Sequence, residues 1–180
     1  ERLFERRESR PRPSRDDKIL TDWNGLMLRA YAEAAAYLDR DDYRAMAESN
    51  AQFLISTMWN GQRLMHCFKD GFVRFNGYLD DYANLADGLL ALYLVTFDEQ
   101  WLDRSIELVD RMIDQFWDRE QGGFYFTSDN HEPLIARTKE YFDNATPSGN
   151  SVAADVLTRL GVLLDRVDYR EKAGQVCRQV

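Results

Sequence analysis

The strongest constraint on this chain is an internal repeat. Asp22-Trp23 returns as Asp81-Tyr82 after 59 residues, and Tyr43 has its counterpart in Trp101 after 58; Asp168-Tyr169 marks a third copy. A fixed period of this kind signals stacked supersecondary units, none of which buries its apolar face alone.

The unit itself is legible from hydrophobic period. From Thr21 onward, Trp23, Leu26, Met27, Ala30, Tyr31, Ala34, Ala35 and Leu38 recur at helical spacing, and Leu28, Ala32 and Ala36 add a face of small residues. This helix is expected to be covered on more than one side. Asp39-Arg40-Asp41 breaks it, and an amphipathic helix follows through Tyr43, Met46, Ala47 and Phe53. The stretch RLMHCFKDGFVRF (63–75) then alternates on both sides of Asp70-Gly71, a pair suited to the positive φ of a tight hairpin. The same order returns. A helix apolar nearly all round spans 79–97, a strictly amphipathic one runs from Trp101 to Trp117, and 122–137 reads as a second hairpin. A third buried helix is expected from Pro147 to about Val167, and a last amphipathic one from Tyr169.

Three helical hairpins, each with one buried and one half-exposed helix, describe an all-α chain with short β-hairpins. Its architecture is an α/α toroid with inner and outer rings and the hairpins on one rim. Residues 1–20 are expected to be a connector and the end of a preceding helix, and 21–180 a partial toroid. Glu1 is not an initiator Met and Val180 falls in mid-pattern, so a segment of a longer protein is expected. The open arc would then be covered by the remainder of a larger native chain or by a homo-oligomer.

Composition narrows the partners. A net charge of −8 without a basic face argues against nucleic acid and anionic membrane. The cluster from Arg6 to Arg15 is interleaved with Glu and Pro and reads as an exposed connector. Cys67 and Cys177 belong to no C-x-x-C pair and have no His at ligand spacing, which fits two reduced thiols in a cytoplasmic setting. No metal or cofactor motif is present, and no apolar run is long enough to span a bilayer.

The polar residues of the buried helices gather at their openings. Asp80, Asn84 and Asp87 fall at i, i+4 and i+7 and share one face, which becomes apolar at Ala91 and Leu94. The first inner helix opens with Asp22 and Asn24, the third with Ser148 and Asn150. Alternate helices of a toroid run the same way, so the three openings should converge on one mouth, where free N–H groups favour polar ligands. Aromatic rings beside carboxylates and amides (Trp23, Tyr82, Phe75 and Tyr78) suit a sugar, whose apolar faces stack while its hydroxyls hydrogen-bond. Asp, Ser and Thr at helix openings are also ordinary caps. Capping does not account for Asn84 and Asp87, which lie past the first turn.

The stretches RPRPSRDDKILTDWNGLMLRAYAEAA (10–35), GYLDDYANLADGLLALYLVT (77–96) and DNATPSGNSVAA (143–154) together resemble the thioredoxin-domain-containing, spermatogenesis-associated protein family, in its C-terminal region. The resemblance covers essentially the whole chain. It implies an N-acylglucosamine 2-epimerase-like or six-hairpin glycosidase-like toroid, with Asp22, Trp23, Asn24, Asp80, Asp81, Tyr82, Ser148, Gly149 and Asn150 as signature positions. Leu94 stands where that pattern commonly has Glu.

Two classes of function follow. A carbohydrate-active enzyme of hydrolase type needs two carboxylates around a glycosidic bond, and Asp81 with Asp22 or Asp80 is the candidate pair. Substrate contacts would come from Trp23, Asn24, Tyr82, Asn84, Asp87, His66, Ser148 and Asn150. A sugar 2-epimerase-like isomerase needs bases on both faces of a carbon, and the chain has only His66, on a hairpin strand, and His131, in a turn. The alternative class is a binding or scaffold toroid that catalyses nothing. Arg137 and Lys139 are read either as a solvated edge or as an anion-binding pair at the mouth.

Overall fold

The computed structural model describes residues 2–131 and 136–179. A short helix α1 (Arg2–Glu8) and the segment up to Asp17 are exposed. A strand β1 (Ile19–Leu20) then leads directly into α2 (Thr21–Leu38), followed by α3 (Asp41–Phe53), which ends in a π-helical turn at Leu54–Met58. The hairpin β2 (Met65–Lys69) and β3 (Phe72–Asn76) precedes α4 (Leu79–Thr96) and α5 (Glu99–Phe116), and α6 (Gly149–Leu163) and α7 (Val167–Cys177) complete the order. The three strands form one antiparallel sheet in the order β1-β2-β3. No helix among the described residues is long and apolar enough to cross a membrane.

Helix α4 is the centre of the arc. It packs against α2 on one side and α6 on the other, with α5 behind it. Every residue from Asp81 to Leu92 is buried, which is why the segment reads as apolar nearly all round. The approach of α2 is set by glycine: a Cβ on Gly25 would lie 2.6 Å from the backbone carbon of Asn84, and one on Gly88 would lie 2.7 Å from the Gly25 carbonyl oxygen. Only hydrogens fit at that crossing. The outer helix α5 turns Leu108, Val109, Met112 and Phe116 inward. Full burial of such side chains stabilises the fold by roughly 1.5–3 kcal/mol each.

The repeat also shows in the backbone. Each turn from inner to outer helix contains one left-handed residue, Asp39 (φ 53°), Phe97 (φ 55°) and Asp165 (φ 52°). These positions commonly hold glycine, so the chain accepts local strain to reverse direction at the same point in each unit.

The face that α2 buries follows the expected small-residue face, and of the expected main stripe it takes in Ala35. Thr21, Gly25, Leu28, Ala32 and Ala35 face α4, while Trp23, Met27 and Leu38 are exposed. Small residues win because the interhelical distance is short, and the bulkier stripe lies on the edge of the arc. The first hairpin forms as expected, with Asp70 and Gly71 at φ 52° and 82°. The second does so only in outline. Phe124 makes an isolated bridge to Trp117 and Phe126 N–H donates to the Thr138 carbonyl at 2.8 Å, but the described residues of 122–137 form no strand; 132–135 lie outside the described residues.

That loop is held by buried polar groups. Asp118 accepts the backbone N–H of Glu120 and Gln121, the Tyr125 hydroxyl and the Lys139 ammonium, the last at 2.6 Å. Lys139 also donates to the Gly122 carbonyl, and Arg137 donates to the carbonyls of Thr127 and Gln115. Both cations are committed to the loop itself.

Candidate functional site

The openings of the three inner helices do meet. Asp81, in the first turn of α4, is fully buried, and its carboxylate accepts the Tyr78 N–H at 2.8 Å, closing its own helix start. The same carboxylate accepts the Asp22 N–H at 2.9 Å and so caps the first turn of α2 as well. On its third side it meets His66 of β2, whose Nδ1 lies 2.9 Å from Oδ2 and 3.1 Å from Oδ1. One buried acid thus joins two inner helices and the hairpin.

Asp80 points the other way round the arc. Its carboxyl sits against the first residue of α6, where a Cβ on Gly149 would collide with Asp80 Oδ1 and with Leu79. Gly149 is therefore the position that lets the acid reach the N-terminus of α6. Asp22 is half-buried between these groups, and its Oδ1 accepts the N–H of Trp23 at 2.7 Å. The indole of Trp23 is 61% exposed. Phe75 is exposed as well, and strand register places it opposite His66, since Met65 pairs with Asn76 and Cys67 with Arg74. Its φ of 62° puts a bulky side chain in the left-handed region, at a cost of roughly 1–2 kcal/mol. Strain of this sort is held only where the surroundings over-determine it.

The electrostatics are those of crowded acids. Burial pushes the Asp80 carboxyl up to about 6, helped by the charges of Asp81, Asp22 and Glu140 and opposed by the Gly149 N–H. Asp81 is also pushed up to about 6 by burial, against the pull of His66 and the Tyr78 N–H. Asp22 is raised by burial. His66 is raised chiefly by its bond to Asp81, with further help from Asp22 and Asp80 and with burial working against it. No Lys or Arg forms an ion pair with Asp22, Asp80 or Asp81 among the described residues. Asp22, His66 and Asp81 each offer a ligand atom within 4.8 Å of the others, a spacing compatible with a metal ion. Both Asp81 oxygens already accept hydrogen bonds, however, and His66 Nδ1 already faces Asp81, so a cation would have to break existing bonds.

Other expected site residues have structural partners. The Tyr82 ring is in the core, and its hydroxyl accepts the Leu64 N–H at 2.9 Å. Asn24 faces α3, donating to the Leu20 carbonyl and accepting from Asn50. Asn150 is fully buried and replaces a strand partner for Phe124, accepting its N–H and donating to its carbonyl and to that of Glu140. Ser148 caps α6 by accepting the Ser151 N–H. Asp87 lies between two arginines, Arg29 of α2 at 2.6 Å and Arg159 of α6 at 2.5 Å. Asn84 sits on the same face between Asp80 and Asp87, its Oδ1 buried with no hydrogen-bond partner among the described residues. The sequence reading missed Glu140, whose charge reaches Asp80 from a loop with no periodic signal.

The chain is 37% identical over 184 residues to human spermatogenesis-associated protein 20, and 36% identical to the mouse protein; each alignment takes in 96% of this chain. The chain is a homologue of spermatogenesis-associated protein 20. It spans only 23% of the length of these relatives, and so corresponds to one part of each of them. A Caenorhabditis elegans uncharacterized protein is 29% identical over 98% of the chain. No protein-family profile matches.

Solved structures with the same fold include two family 76 glycoside hydrolases of Bacteroides thetaiotaomicron, an α-mannanase (TM-score 0.73) and a mannosidase (TM-score 0.76). Cellobiose 2-epimerase of Spirochaeta thermophila superposes with a TM-score of 0.72. Each is 15% identical; 88–91% of this chain is matched but only 42–44% of theirs. The fold of this chain is accordingly an arc of a six-hairpin glycosidase-like α/α toroid.

Proposed function

We propose that the rim formed by Asp22, Asp80 and His66 binds a carbohydrate, with Asp80 as general acid and Asp22 as its ionised partner. The observation that carries this reading is Asp80 itself. It is a half-buried carboxyl without a cationic partner among the described residues, raised to about 6 in the company of three other acids. A carboxyl in that position is ready to give a proton near neutral pH. Asp81 drops out of the pair, because its full burial and its bonds to two helix starts leave it nothing to offer a substrate. The exposed indole of Trp23 supplies the stacking face that sugars favour. Toroids of the same fold that are named as a mannanase, a mannosidase and a cellobiose epimerase add to the case for a sugar.

Calorimetric titration with mannose, mannobiose and cellobiose tests the binding, and hydrolysis of the disaccharides tests the chemistry. Asp80→Asn and Asp22→Asn are expected to lose turnover, and Trp23→Ala to lose binding, with no fall in melting temperature. Binding that survives all three substitutions would refute the assignment.

A second reading has its own support. Tyr82, Asn150 and Asp81 are bound so completely into the framework that this arc also suits a scaffold that recognises a glycan without changing it. Sugar binding without turnover in the wild-type protein would select that reading.

A further inference from the structure

The geometry points to His66 as a second proton carrier of this rim beside Asp80, with Asp81 as a positioning residue that keeps the imidazole Nδ1–H toward itself and leaves Nε2 to exchange a proton with an oxygen of the ligand. The inference rests on the carbohydrate reading only for the identity of that oxygen.

The argument begins with what Asp81 is able to accept. An ionised carboxylate has no proton to donate, and this one is fixed by the N–H groups of Tyr78 and Asp22. Nδ1, at 2.9 Å, is therefore the donor, and the neutral imidazole must carry its proton there. Nε2 lies on the far side of the ring. Asp81 is wholly buried while the His66 side chain is 24% exposed, so the Nε2 edge is the accessible one, and it has no hydrogen bond among the described residues.

The ring has little freedom to turn. The Tyr78 ring meets it edge-on with centroids 5.1 Å apart, and Tyr78 is itself stacked on Phe126 at 4.9 Å. The charged groups around His66 are Asp22 from α2 and Asp80 and Asp81 from α4, all acids, which favour the imidazolium. In the step, the Nε2–H bond of the imidazolium breaks and an O–H bond forms on the ligand. The neutral imidazole keeps Nδ1–H on Asp81, which remains a carboxylate, and solvent returns the proton to Nε2.

The chain has two histidines, so nitrogen NMR of protein labelled in histidine resolves them, with His131→Gln for assignment. Neutral His66 is expected to carry its proton on Nδ1 and to titrate above the ordinary 6.5; an Nε2–H tautomer in the wild-type protein overturns the inference. This reading needs no variant, so it stands even where Asp81→Asn fails to fold. In a folded Asp81→Asn protein the midpoint should fall, because the Asp81 bond is the largest cause of its rise. Diethyl pyrocarbonate should modify Nε2 of His66 in the free protein, and an unreactive His66 likewise overturns the inference. If the sugars bind while the His66 Nε2 resonance stays unmoved, the proton-carrying role fails and the carbohydrate reading survives. If no sugar binds but the tautomer and reactivity are as expected, the carbohydrate reading fails alone.

Discussion

The carboxylate of Asp81 accepts the backbone N–H of Asp22 at 2.9 Å, so the matching positions of two repeats are bonded to each other. The acid caps its own helix and its neighbour's at once. Replacing it with Asn keeps the shape but removes a charged acceptor that faces two N–H groups and an imidazole. Asp81→Asn is expected to cost roughly 2–3 kcal/mol, read from urea unfolding at pH 7, with the His66 titration shifted down.

Asp80 should behave in the opposite sense. Its folded carboxyl titrates at about 6 against 3.8 in a model peptide, so the fold favours the protonated form. The stability this supplies is complete below about 3.8 and is lost as pH rises through about 6. Because the group is part-exposed, Asp80→Asn is expected to stabilise the protein by only about 1–2 kcal/mol at pH 8, and not at all at pH 3.5. A gain that is equal at both pH values would contradict this account.

Asp81 and His66 carry the same sign. Both are raised in the fold, so their contributions also fade as pH rises, Asp81's through about 6 and that of His66 above 6.5. Wild-type melting temperature is expected to fall between pH 5 and pH 8, and Asp80→Asn should flatten that slope. A melting temperature that climbs over the interval would show that other groups dominate.

The Asp87 knot should fail non-additively. Arg29→Met or Arg159→Met alone leaves one cation on the buried carboxylate, at a cost of about 1–2 kcal/mol. The double substitution leaves the charge unpaired and is expected to cost about 3–5 kcal/mol, more than the two single values together. Chemical denaturation of the four proteins in the cycle measures the excess.

Gly25→Ala tests the crossing of the inner helices. The added methyl would meet the backbone of Asn84 and Leu85, which has no rotamer with which to move aside. The expected loss is roughly 1–3 kcal/mol, where an open helical site would have gained from the same change.

Much of this architecture was open to reading before any coordinates. Hairpin turn, helix order and repeat offset come from residues near one another in the chain, and the 59-residue match of Asp22 with Asp81 marked a contact as well as a resemblance. The shared face of Asp80, Asn84 and Asp87 was likewise correct as geometry. Its meaning was not legible, because the partners of Asp87 stand 58 and 72 residues away and those of Asn150 lie in a loop without periodicity. Spacing tells where a polar side chain sits on its helix and is silent about what it meets across the gap.

The sequence by itself determined the helical units, their repeat and the end of the arc at which acids collect, since hydrophobic period and capping chemistry act over a few residues. Only the tertiary structure decided which acids remain available. Asp81, Tyr82 and Asn150 are taken up by backbone groups of other elements, Asp87 by two arginines, and Asp22 and Asp80 remain half-buried with no Lys or Arg partner among the described residues. The reason is physical: a buried polar group must find a partner, and which partner it finds depends on the close approach of helices far apart in the chain.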